Sequence, residues 1–181
     1  IGNGCIWSNR TIWNLNKSTS SNKMLYPQQT NYRTVFDLSG FWKIKADPNN
    51  VGHKEKWFST ELEGDTHTIA IPGSWNEQLA EQGFRNYVGK VWHETTFNIP
   101  LIFEEESRIW FRAGAADHTA EVWINGEFAG KHEGGFMPFE IDLTEYLNES
   151  GDSNLLSICV DSSITMHTLP QDVNPNSELY G

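Results

Sequence analysis

The stretch Glu121-Val122-Trp123-Ile124-Asn125-Gly126-Glu127-Phe128-Ala129 decides the fold of this chain. Two runs rich in β-favouring residues meet at Asn125-Gly126. A two-residue type I′ turn needs positive φ at both central positions, which Asn and Gly tolerate better than other residues, so the stretch predicts a tight antiparallel hairpin. Upstream, Trp42, Ile44 and Ala46 alternate with Lys43 and Lys45, and Thr68-Ile69-Ala70-Ile71 is a compact run closed by Pro72-Gly73. Further strands are expected at Val91 to Ile99, Arg108 to Ala113, Thr119 to Asn125, Phe136 to Ile141 and Asn154 to Val160, each bounded by turn-forming residues. Helical signals are few. Ser74-Trp75-Asn76-Glu77 fits a capping box, and Leu143 to Leu147 suits a single turn. With no βαβ rhythm, heptad or internal repeat, the chain reads as an all-β antiparallel sandwich.

Composition sets the class of partner. The 181 residues suffice for one compact domain, and 38% hydrophobic content with eight Trp argues for a packed core. A formal charge of −11 repels phosphate backbones and anionic membrane surfaces, so neither nucleic acid nor a membrane is expected as a partner. No apolar run approaches the ~20 residues needed to cross a bilayer. The chain reads as soluble, cytoplasmic if its source is bacterial, with the compartment otherwise unknown. Residues 1–23 are rich in Asn, Ser and Thr without periodicity and are read as an irregular leader or tail. Asn9-Arg10-Thr11, Asn16-Lys17-Ser18 and Asn148-Glu149-Ser150 match the N-glycosylation pattern, which is short enough to recur by chance.

Catalytic and ligand motifs are scarce. Cys5 and Cys159 are far apart and read as free thiols, and the six histidines (53, 67, 93, 118, 132 and 167) lack metal-ligand spacing, so no metal and no cofactor are expected. Gly89-Lys90 lacks the Ser or Thr of a phosphate loop, and Gly73-Ser74 lacks the spacing of a nucleophile elbow; Ser74 is read as a helix cap. Glycoside hydrolysis needs two carboxyl groups held across the scissile bond. Glu104-Glu105-Glu106 is a run of like charges expected to stay solvated, and Asp117 and His118 open a strand without a distinguishing chemical feature. The catalytic set is therefore empty and substrate-binding residues are unknown. His132-Glu133-Gly134-Gly135 reads as a polar connection with a tight backbone path. Trp75, Trp92, Trp110 and Trp123 are read either as core or as sugar-stacking platforms, and alternation in Arg108-Ile109-Trp110-Phe111-Arg112 puts Trp110 opposite Ile109 and Phe111.

Several blocks, in order, resemble the N-terminal sugar-binding-type domain of glycoside hydrolase family two, most like that of the β-glucuronidases. They are Met24-Leu25-Tyr26-Pro27, Asp37-Leu38-Ser39-Gly40-Phe41-Trp42, Ile71-Pro72-Gly73-Ser74-Trp75-Asn76 and Arg85-Asn86-Tyr87-Val88-Gly89-Lys90-Val91-Trp92. Val122-Trp123-Ile124-Asn125-Gly126, His132 through Glu140, Asp142-Leu143-Thr144 and Thr168-Leu169-Pro170 continue the series, so the likeness covers residues 24–170.

The resemblance implies a galactose-binding-like jelly roll over residues 24–181, followed in a parent enzyme by an immunoglobulin-like domain and a TIM barrel bearing two catalytic glutamates. It also implies those later domains as partners, carbohydrate as a candidate ligand and a parent that is a candidate homo-oligomer. The family's acid/base glutamate lies in Asn-Glu-Pro. Asn76-Glu77-Gln78 and Asn148-Glu149-Ser150 depart from that pattern, so neither glutamate inherits the role, and the family's substrate-reaching aspartate is expected just beyond Gly181. The expected function is a non-catalytic, scaffolding domain of a glucuronide-hydrolysing enzyme, inactive alone. The alternatives are an autonomous carbohydrate-binding module and the equivalent domain of a β-galactosidase or β-mannosidase.

Overall fold

In a computed structural model of the chain, the structure describes residues 5–9, 12–13, 29–30, 33–100 and 107–163. The Met24–Pro27 and Thr168–Pro170 blocks and the acidic run at 104–106 lie outside them. In chain order the strands are β1 (Cys5–Asn9), β2 (Ile12–Trp13), β3 (Val35–Phe36), β4 (Gly40–Asp47), β5 (His67–Ile71), β6 (Gly73–Ser74), β7 (Lys90–Asn98), β8 (Trp110–Ala116), β9 (Thr119–Ile124), β10 (Glu127–Glu133), β11 (Phe139–Asp142) and β12 (Ser153–Asp161). Among the described residues there are also a helix, α1 (Trp75–Gln78), and a 3-10 turn at Ala80–Gln82. A six-stranded sheet in the order β10-β9-β12-β7-β4-β5 faces a four-stranded sheet in the order β11-β8-β1-β6, and β2 pairs with β3. All the strand pairings are antiparallel, as the turn-bounded runs predict.

The hairpin forms where the sequence places it. Glu127 pairs with Ile124 across Asn125-Gly126, whose φ angles are 52° and 86°. Asn125 also works away from its turn. Its side-chain Nδ2 donates to the Tyr146 carbonyl and to Asn154 Oδ1, and its Oδ1 accepts from the Leu155 amide, all at 2.9 Å, tying the hairpin tip to the start of β12.

Period-two alternation then fills the core. Trp42 and Ile44 of β4, Val91 and Phe97 of β7, Val122 and Ile124 of β9, and Leu156, Ile158 and Val160 of β12 meet Phe111 and Ala113 of β8 and Phe139 and Ile141 of β11 in one buried cluster. Two predicted boundaries move. The strand expected from Phe136 begins only at Phe139, because Phe136 and Met137 project into solvent, and the one expected from Arg108 begins at Trp110. Cys5–Asn9 corrects the expectation that residues 1–23 are irregular throughout, since its backbone runs between β6 and β8 with Ile6 opposite Ala116. A strand that short offers too few residues per face for alternation to stand out in an Asn- and Ser-rich background.

A histidine is buried beside this core. His93 of β7 is fully buried at 5.3 Å from the Trp75 ring. A carbonyl only accepts, so Nδ1 carries the hydrogen and donates it to the Val91 oxygen at 3.0 Å. Burial is the main cause that lowers the His93 pKa, from 6.5 to about 4. The unfolded chain therefore binds this proton first as the pH falls. The stability that neutral His93 carries is complete above about pH 6.5 and drains away towards pH 4, about 3 kcal/mol over that window. Urea unfolding at pH 7 and pH 4 checks this: the wild type should lose about 3 kcal/mol more than His93→Gln, and equal losses in the two proteins would contradict it.

The outer face of the six-stranded sheet is covered as well. Residues 48–66 between β4 and β5 form a strap that places Leu62, Trp57 and Phe58 over Trp92, Trp123 and Cys159. Asp47, 1% exposed, anchors one end: Oδ1 accepts from the Val51 amide at 2.8 Å, and Oδ2 from the Gly52 amide at 2.9 Å and Trp92 Nε1 at 3.3 Å. Glu94 anchors the other, accepting from the Leu62 amide at 2.6 Å with Lys43 Nζ 3.4 Å away. His53 and Glu121 meet at 2.7 Å, and the Lys45 ammonium lies 3.7 Å from the centre of the Trp57 ring.

Candidate functional site at one rim of the sandwich

Antiparallel register gathers several loops at one end of the molecule. Across the six-stranded sheet Glu133 pairs with Thr119, Thr119 with Asp161, Asp161 with Lys90, and Lys90 with Asp47. The loops leading into or out of those residues therefore share a rim, on which the described chain also ends at Ser163. Backbone hydrogen bonds tie them together: the Gly134 amide donates to the His118 carbonyl at 2.8 Å, the His118 amide to Asp161 at 3.1 Å, and the Ser162 amide to Gly89 at 3.1 Å.

Each rim loop is held from below. Asn76, 8% exposed, directs Nδ2 at the carbonyls of Phe84 (2.7 Å), Arg85 (3.3 Å) and Tyr87 (3.1 Å), fixing the 84–89 loop to α1. The Tyr87 hydroxyl donates to the Lys90 carbonyl at 2.9 Å. His132 stacks on Phe139 at 4.3 Å and its Nε2 donates to the Gly134 carbonyl at 3.0 Å, which fixes the path of Gly134 and Gly135; His132 and Glu133 themselves end β10, paired with Ala120 and Thr119, which corrects their reading as part of a connection. A side chain at Gly135 would displace the Asp117 carboxylate, because a Cβ there would lie 2.5 Å from Asp117 Oδ1. Burial raises the pKa of the half-buried Asp117, with the neighbouring His118 pulling the other way.

A second concavity lies between the sheet edges β10 and β11. It has a volume of about 510 Å³ and is lined by Arg108, Lys131, Glu140, Asp142, Thr144 and Tyr146 among others. Two of its three acids are ion-paired, and the third, Glu145, is exposed at the surface. Arg112 Nη1 lies 2.6 Å from Glu140 and Arg108 Nη2 2.5 Å from Asp142. Partial burial pushes the Asp142 carboxyl up, but hydrogen bonds from Thr144 and the Arg108 guanidinium hold it below the usual range. Asp142 is therefore not poised to donate a proton near neutral pH.

The tryptophans divide. Trp75 and Trp92 are 0% exposed and Trp123 5%, so the platform reading fails for these three: Trp75 lies in the main core and the strap closes over the other two. Trp110 is half-buried, with the Arg108 guanidinium 5.3 Å from its ring centre, on the face opposite buried Ile109 and Phe111. Ser74 immediately precedes α1 but makes no side-chain cap hydrogen bond, which corrects the capping-box reading; it ends β6 and is 5% exposed. Glu77 and Glu149 are exposed surface residues. The anchoring roles of Asn76, Asp47 and Glu94 left no motif in the sequence, since each is defined by backbone groups brought in from elsewhere.

The profile described as "Glycosyl hydrolases family 2, sugar binding domain" matches residues 35–173. The chain belongs to that family. It is 40% identical over 147 residues to a β-glucuronidase of Paenibacillus borealis, covering 81% of this chain and 24% of that protein. It is 34% identical over 166 residues to the Felis catus β-glucuronidase, covering 87% and 25%. Among solved structures, the Ruminococcus gnavus β-glucuronidase in complex with D-glucuronic acid superposes with a TM-score of 0.73 at 30% identity, over 80% of this chain and 25% of that one. The chain thus spans about a quarter of the length of these relatives and corresponds to the N-terminal sugar-binding domain of β-glucuronidase-like enzymes. Its β-sandwich is the fold that the residue pattern and the family resemblance both predict.

Proposed function

We propose that this family-two domain is a non-catalytic scaffold within a longer glucuronide hydrolase, packing against later domains and shaping one side of a pocket whose reacting carboxylates lie in other parts of the polypeptide. The observation that carries this reading is the disposition of aromatic rings and acids. Three of the four candidate stacking rings are interior, and two of the three groove acids, Glu140 and Asp142, are paired with Arg112 and Arg108. What the domain presents is shape: a row of loops fixed by backbone hydrogen bonds at the end where β12 finishes. Homo-oligomerisation of the parent belongs to the same proposal, as does a cytoplasmic setting in a bacterium, with which the free, buried thiol of Cys159 accords.

The groove beside half-buried Trp110 favours a second reading, an autonomous carbohydrate-binding module. Titrating the isotope-labelled chain with glucuronate and with galactose separates the two. The scaffold reading expects no saturable amide shifts at millimolar sugar. Saturable shifts centred on Arg108, Lys131 and Tyr146 would replace it with the binding module.

A further inference from the structure

We infer that Phe136, Met137 and Val88 form the contact on which the downstream polypeptide of the longer protein docks, an inference that rests on the scaffold reading above and names its surface. Among the described residues the large hydrophobic side chains left exposed are Phe41 (80%), Val88 (49%), Phe128 (52%), Phe136 (92%) and Met137 (66%). Three of the five belong to rim loops. Gly134, just before Phe136, is bonded to His118; His118 to Asp161; and Ser162 to Gly89, beside Val88. Those links cross from β10 to β7 through β9 and β12, three strand spacings or about 14 Å, so the two loops bracket the exit of β12.

Two further observations select the occupant. Strand β12 ends at Asp161, with Ser162 bonded to Gly89 between these loops, and about three quarters of the length of the relatives lies outside the part that this chain matches. Phe136, Met137 and Val88 therefore stand at the end of the molecule where β12 finishes. The Phe136–Met137 tip is also preset. The His132–Phe139 stack, the His132–Gly134 hydrogen bond and the Gly134–His118 hydrogen bond hold its base, so docking there orders little new backbone. A nearly fully exposed Phe next to an exposed Met gives nothing to the stability of the domain itself, whereas burying both against a partner removes a large apolar area from water.

The test compares Phe136→Asp/Met137→Asp with Phe41→Asp, which changes an exposed ring at the opposite end of β4, in the 181-residue chain and in the full-length protein. In the short chain both variants should melt within about 2 °C of wild type, because neither site is buried. In the full-length protein the double variant should unfold in two transitions, with the sandwich melting apart from the rest and glucuronide turnover falling at least tenfold, while Phe41→Asp matches wild type. A double variant that keeps one transition and full turnover overturns the docking surface. Deleting residues 35–163 distinguishes that failure from failure of the scaffold reading: if the deleted protein still folds and turns over glucuronide as wild type does, the scaffold reading itself is wrong.

Discussion

Trp75→Ala should lower the unfolding free energy by about 3–5 kcal/mol, the range for removing a large aromatic ring from a packed core. Trp75 opens α1, has no exposed surface, and lies in the cluster formed by both sheets. Among the described residues its indole N–H has no hydrogen-bond partner, so the loss comes from the cavity and the lost contacts. Trp75→Phe should therefore cost clearly less than Trp75→Ala in urea unfolding. The cavity has a second signature. His93 stays neutral because it is dry, and water admitted beside it would move its pKa from about 4 back towards 6.5, measurable by following the imidazole resonances with pH. A loss below about 1 kcal/mol with His93 unchanged would mean that the ring is not the centre of this core.

Asp47→Ala should cost about 3 kcal/mol, because the Val51 and Gly52 amides and the Trp92 indole N–H lose one shared acceptor beneath the strap. Gly52→Ala should match it by a different route. A Cβ at Gly52 would lie 2.3 Å from Trp92 Nε1, so the strap must lift or the ring must move. Cys159 reports the outcome. Burial pushes its thiol pKa well up and keeps it unreactive in the folded chain, so in a Cys5→Ser background a thiol reagent should label Cys159 much faster in either variant than in wild type. Equal labelling rates would show that the strap does not depend on these two residues.

Legibility followed the range of the interaction. The Asn125-Gly126 hairpin was readable because a local φ requirement selects the residues, and the main strands because alternation records which face is buried. The strap was not. Residues 48–66 have no period, yet they cover the outer face of the sheet and turn Trp92 and Trp123, which alternation sets opposite the core, into buried rings. Ser74-x-x-Glu77 matched a capping pattern, but pattern does not report that Ser74 closes a strand in the interior. Strand β1 was hidden by its brevity among polar residues. The rim was legible only as separate family-like blocks, Arg85–Trp92 and His132–Glu140; strand order and register bring them together, and neither is written locally.

The proposed division of labour between this sandwich and a longer polypeptide is tested most directly by incubating the purified 181-residue chain with 4-nitrophenyl β-D-glucuronide between pH 4 and pH 8. Release of nitrophenol should not exceed that in buffer, because Trp75, Trp92 and Trp123 serve as packing and the groove acids Glu140 and Asp142 are held in ion pairs. Saturable release that disappears on substituting Asp117 or Glu140 would place the chemistry inside this domain and contradict the account.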